Sequence, residues 1–170
     1  MLAQALWRRN LKIDYDLCSD NKHAMRPIKF IELARRMAVL FRGDPAGVRS
    51  IVSRAYYGTF HEARLLIEEL GYPVPRTENG HRFVQVRLLN AGNDHARTLG
   101  SLLCHLHERR KKADYDLEEA AYESENFMVE AIARTDRAAR ILDECCAEPA
   151  RTEIQTGIAQ YHARINSPGG

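Results

Sequence analysis

From Pro27 to Cys146 the apolar residues recur at every third or fourth position and never at every second, which is the period of a helix facing a core. A first helix is expected from about Pro27 to Phe41, burying Phe30, Leu33, Met37 and Leu40 or Phe41. Gly43 stops it, and Asp44-Pro45 supplies an N-cap and a first-turn proline for the next. That second helix spans Pro45 to Leu70 on a stripe of Val48, Ile51 or Val52, Ala55 or Tyr56, Thr59 or Phe60, Ala63, Leu66 or Ile67, and Leu70. Gly71 and Pro73 end it. A short third helix, about His81 to Leu89, should bury Phe83, Val86 and Leu89 or its neighbour. Asn93 or Asp94 caps a fourth, with Leu99, Leu102 or Leu103, Leu106 and Ala113 inward. Asp116 with Glu119 reads as a capping box for a fifth helix reaching about Cys146. Its stripe is Ala121, Met128, Ala131 or Ile132, Thr135, Ala138, Leu142 and Cys145. No strand competes, so the pattern predicts an all-α fold, an antiparallel bundle of about five helices.

This divides the chain into an irregular segment over 1–26, the bundle over 27–148, and a weak helix with a frayed tail over 149–170. The 170 residues are 45% hydrophobic and 28% charged, which suits one globular domain with a core. A formal net charge of +2 means that any nucleic-acid contact must come from a local basic patch. There is no apolar run of about 18 residues, so no membrane span is expected. The opening MLAQALWRRNLKIDYDL places its arginines after the apolar stretch, the reverse of a secretory signal, and points to a cytoplasmic protein. Cys18, Cys104, Cys145 and Cys146 form no C-x-x-C pair, and neither a metal nor another cofactor is expected.

Two segments carry more information than the pattern. One is the helix Arg49-Ser-Ile-Val-Ser-Arg-Ala-Tyr-Tyr-Gly-Thr-Phe-His-Glu-Ala-Arg-Leu-Leu, ending at Leu66. The other, some fifty residues on, is Leu106-His-Glu-Arg-Arg-Lys-Lys-Ala-Asp-Tyr-Asp-Leu, ending at Leu117. An S-R-A-Y-Y-x-x-F-H-x-A-x-x-L helix followed by R-x-x-x-D-Y at a helix end resembles the HEPN domains, over about residues 28 to 146. The resemblance implies a four- or five-helix bundle that forms a homodimer through its long helices. It also implies RNA or nucleotide binding and pairing with a minimal nucleotidyltransferase in a toxin–antitoxin or defence system. Nuclease members of that family use R-x4-6-H at the end of the fourth helix. The arginine carries over to Arg109 or Arg110, but Lys111 to Leu117 contain no histidine, so the usual route to metal-independent cleavage lacks one of its two groups.

RNA cleavage through the 2′-OH needs an acid or base titrating near neutrality and a cation for the phosphorane charge. His107, Arg110 and Asp114 share one helical face, and a reversed H-x-x-R arrangement could stand in for the missing motif. His105 is the other nearby candidate. The simpler reading makes Arg110–Asp114 an ion pair at a helix end. The run Arg109, Arg110, Lys111, Lys112 fans around the helix, where cations also favour the macrodipole, so these residues cannot all face one ligand. Arg54, Tyr57 and His61 lie on one stripe of the second helix. His61 is expected to pack on Tyr57, and Arg54 to pair with a carboxylate, Asp114, or with a ligand phosphate. Tyr115 resembles the family tyrosine that a partner nucleotidyltransferase modifies, and otherwise packs at the start of the fifth helix. Last, Leu6–Leu17 echoes Leu106–Leu117 at seven of twelve positions, as chance, as a remnant of a tandem copy, or as a mimic docking near the same surface.

Overall fold

The computed structural model describes residues 25–167; most of the irregular 1–26 segment, the Leu6–Leu17 echo and the last three residues of the tail lie outside them. Six helices and no strand are found among the described residues. They are α1 Ile28–Leu40, α2 Pro45–Glu69, α3 Asn79–Leu89, α4 Asp94–Tyr115, α5 Glu125–Cys146 and α6 Ala150–Ile165, with a 3₁₀ turn at Ala120–Glu123 before α5. None is long and apolar enough to cross a membrane.

The 25-residue helix α2 is the axis of the bundle and packs against α1, α4 and α5. Every position of its expected stripe is buried, from Val48 through Tyr56 and Phe60 to Leu70. Its start follows the sequence signal, because the Asp44 carboxylate accepts the Gly47 amide at 2.8 Å in front of Pro45. At α4, Asn93 plays the same part toward the Ala96 amide at 3.1 Å, while its side-chain nitrogen donates to Glu153 at 2.7 Å. One core cluster runs from Val52 on α2 through Leu99, Leu103 and Leu106 on α4 to Leu142 on α5. A smaller one joins Ala34, Val48, Ile51, Ala55 and Met128 between α1, α2 and α5.

Four expectations are corrected. Helix α1 buries Ile28, Ile31 and Ala34, and leaves Leu40 74% and Phe41 43% exposed. Gly58 of α2 allows the close approach: a Cβ there would meet the Ile31 side chain and backbone and the Phe30 Cβ, and Ile31 takes the buried position while Phe30 is half-buried. Helix α3 buries Val84, leaving Phe83 and Val86 half-buried, and of the alternatives Leu89 and its neighbour it is Leu88 that is buried. The Asp116/Glu119 capping box does not start α5. Glu119 instead accepts the Ala121 amide to open the 3₁₀ turn, and Ser124 caps α5 through the Phe127 amide at 3.2 Å. Finally, α6 is no loose appendage, because Ile154 and Ile158 are fully buried in the main cluster and Gly157 lies against the backbone of Ala91.

Candidate functional site

The middle of α2, the start of α3 and the second half of α4 bring together a group of rings and cations. Tyr56, fully buried on α2, is hydrogen-bonded through its hydroxyl to Nδ1 of His81 at 2.6 Å. The ring of Tyr56 stacks on His107 of α4 at a centroid distance of 5.0 Å and an interplanar angle of 7°. His81 and His107 lie 5.1 Å apart, ring centroid to ring centroid. On the next turn of α4 the Arg110 guanidinium lies 5.3 Å above the Tyr57 ring and 5.2 Å from that of Tyr115. Its Nε is 2.6 Å from Asp114 Oδ2, an ion pair in which the N–H is out of line and makes no hydrogen bond. The shared face expected of His107, Arg110 and Asp114 is therefore real.

The protonation of this group follows from its neighbours. Burial raises the Tyr56 phenol well above its ordinary pKa, so it keeps its proton and donates to His81 Nδ1. Burial, and then the Arg110 cation, lower the pKa of His81. Burial, then His81, Lys111 and Arg110 among others, lower that of His107. Both rings are neutral at pH 7. In His81, Nδ1 accepts from Tyr56; in His107, Nδ1 lies 3.3 Å from the Gln85 amide nitrogen, which donates to it. Each ring then carries its proton on Nε2 and presents an N–H donor.

Beside this group α2 carries a second set of rings. His61 stacks on Tyr57 and on Phe30 of α1, both at 6.2 Å and within 25° of parallel. The expected packing of His61 on Tyr57 is found. The Arg54–Asp114 pair is not: Arg54 lies over the rings of Phe30 and Tyr57, at 5.4 and 5.6 Å, while Asp114 is held by Arg110 and by the Ser53 hydroxyl at 3.4 Å. The other cations of the run go elsewhere, as their spacing requires. Arg109 lies over Phe127 at 4.0 Å, donates to the Phe127 carbonyl at 2.7 Å and pairs with Glu130. Lys111 pairs with Glu108, and Lys112 lies over Tyr122. Tyr115 is 69% exposed and is reached by Arg110 at 3.4 Å, rather than packed against α5. His105 is exposed and shares in none of the ring contacts.

Sequence reasoning missed His81, Gln85 and Tyr56. His81 stands in the first turn of a short helix with a weak pattern, and nothing in its spacing places it beside His107. No group of three or more histidine, cysteine or acidic side chains suited to a metal occurs among the described residues. Family models, curated proteins and solved structures were each compared with the chain, and none matches it.

Proposed function

We propose that the protein is a HEPN-like helical module that binds RNA or a nucleotide through a phosphate-holding face made by Arg110, His81 and His107. The observation that carries this reading is the pair of imidazoles whose Nδ1 atoms are both occupied, leaving two neutral Nε2–H donors next to a guanidinium. Donors and a fixed cation suit a phosphate, which only accepts. Tyr57 and Tyr115 flank Arg110 with aromatic surface, as a phosphate site on a nucleotide chain requires. Asp114 holds the guanidinium in place, and Arg54 adds positive charge on the same side of α2.

The HEPN-like motifs supply the rest of the proposal: a homodimer, a minimal nucleotidyltransferase as partner, and a place in a toxin–antitoxin or defence system. Tyr115 is 69% exposed, which suits it to modification by such a partner.

A fluorescent single-stranded oligoribonucleotide titrated in EDTA tests the binding reading. Wild-type protein should bind in a salt-sensitive manner, and Arg110→Ala should weaken binding by about tenfold or more, as for loss of a charged hydrogen-bond donor. Equal affinity in the two proteins would overturn the phosphate site.

A second reading, metal-independent RNA cleavage, is favoured by the 5.1 Å separation of His81 and His107, because a second histidine there could replace the one missing from the R-x4-6-H motif. In that case one neutral ring must take the other tautomer, with its proton on Nδ1 and Nε2 free to accept the 2′-OH proton, while the other ring is protonated on both nitrogens and donates from Nε2 to the leaving oxygen. RNA cut by wild type in EDTA, and left intact by both His81→Ala and His107→Ala, would establish it.

A further inference from the structure

Next to the phosphate face, a cleft of about 720 Å³ opens between the start of α1, the middle of α2 and the 73–77 segment that leads into α3. Its volume is that of a site for a small organic ligand. Phe30, Tyr57 and His61 line one wall with rings already stacked on each other, and Arg64 and Arg76 stand at its sides. Arg64 is fixed by hydrogen bonds to Glu68 at 2.9 and 2.8 Å. His81 belongs to this lining and to the His81–His107 pair, and Tyr57 lies both in the lining and beneath Arg110. The cleft therefore shares Tyr57 and His81 with the proposed phosphate site.

We infer that this cleft is a base-binding subsite, in which the heterocycle of a nucleoside phosphate stacks on the Phe30–His61–Tyr57 rings while its phosphate lies on Arg110 and His81. The inference rests on the phosphate-binding reading above and specifies its ligand. Stacking on an aromatic wall requires a face that a paired, stacked base does not offer, so the base must come from a free nucleotide or from an unpaired strand. Arg54, lying over Phe30 and Tyr57, adds to the field that attracts the phosphate.

The test compares three ligands in EDTA: single-stranded octauridylate, an abasic ribose-phosphate strand of the same length, and uridine monophosphate. Octauridylate should bind wild-type protein about fivefold to a hundredfold more tightly than the abasic strand, the range for stacking one base on an aromatic side chain. Phe30→Ala and His61→Ala should reduce that ratio while leaving the abasic affinity in place, and Arg110→Ala should weaken both strands by one common factor. Circular dichroism confirms the fold of each variant, and the comparison of ligands on wild-type protein needs no variant at all. Uridine monophosphate binding as well as octauridylate identifies a free nucleotide as the ligand, and its failure beside a bound octamer identifies RNA. Equal affinity for the octamer and the abasic strand overturns the base subsite and leaves the phosphate site standing. No binding of any ligand overturns the phosphate site, and the subsite with it.

Discussion

Arg49 is 8% exposed, and its guanidinium closes the carboxyl end of α4. It donates to the carbonyls of Ala113 at 2.9 Å, Asp116 at 3.1 Å and Glu119 at 3.2 Å, and makes two hydrogen bonds to Glu123 at 3.1 and 3.0 Å. A helix end leaves carbonyls without partners, and here one side chain from α2 answers them. Arg49→Ala would strand these acceptors and a half-buried carboxylate, so urea denaturation should show a loss of about 3 kcal/mol, the lower end for breaking a buried pair. Arg110→Ala should lose less than about 1 kcal/mol in the same experiment, because its partner Asp114 is one turn away on a partly exposed face. Stability and ligand affinity thus separate these two arginines. Sequence reasoning favoured Arg54 as the buried cation and passed over Arg49, since both lie among apolar residues of α2 and only the position of the α4 terminus tells them apart.

The histidines give a pH dependence whose sign is fixed. Burial is the first cause lowering the pKa of His61, His81 and His107 from the ordinary 6.5, with neighbouring cations adding to it. Above about pH 6.5 folded and unfolded chains are both neutral at these rings, and they contribute nothing to the slope. Below it the unfolded chain takes up protons that the folded one resists, so stability falls as pH falls through 6.5 toward the lowered values. The melting temperature should drop from about pH 7.5 to about pH 5.5, and His81→Gln should flatten that drop. A profile unchanged by the substitution would place the pH dependence elsewhere.

Between elements, close approach is set by glycines that the helical period cannot reveal. Gly157 of α6 lies so close to the Ala91 carbonyl that a Cβ would overlap it, and backbone cannot move aside as a side chain end can. Gly157→Ala should push α6 off the turn after α3 and partly expose Ile154 and Ile158, at a loss of about 1–3 kcal/mol. Hydrogen exchange should report faster opening of α6 amides while α2 and α4 keep their protection. Gly58 allows the same close approach at α1, where Ile31 takes the buried position and Phe30 is half-buried. Helix α2 was legible because it is surrounded and buries most of its circumference. The short outer helices α1 and α3 bury a narrower face, and small displacements choose between adjacent residues.

For the whole molecule, a net charge of +2 leaves no long-range field to hold a polyanion. The salt dependence of the proposed RNA binding should accordingly be traceable to single residues. Arg110→Ala should lower the slope of log affinity against log salt by about 0.7, the value for one contact to a single strand, and Arg109→Ala should leave it unchanged. Arg109 is occupied by Phe127 and Glu130, so its loss should appear in the melting temperature instead.

Local chemistry by itself determined the helical class, the course of α2 and α4, and the Asp44 cap, and narrowed the α4 cap to Asn93 or Asp94, because periodicity, capping and proline act within a few residues of chain. The grouping of His107, Arg110 and Asp114 was equally a property of one helix. Only the tertiary structure brought His81 from α3 to Tyr56 and His107, gave Arg49 the end of α4, and set the Phe30, Tyr57 and His61 rings along one cleft. Those arrangements depend on how far apart the helices lie and how each is turned about its axis. That is settled by glycine contacts and core packing between residues distant in sequence, and no spacing along the chain encodes it.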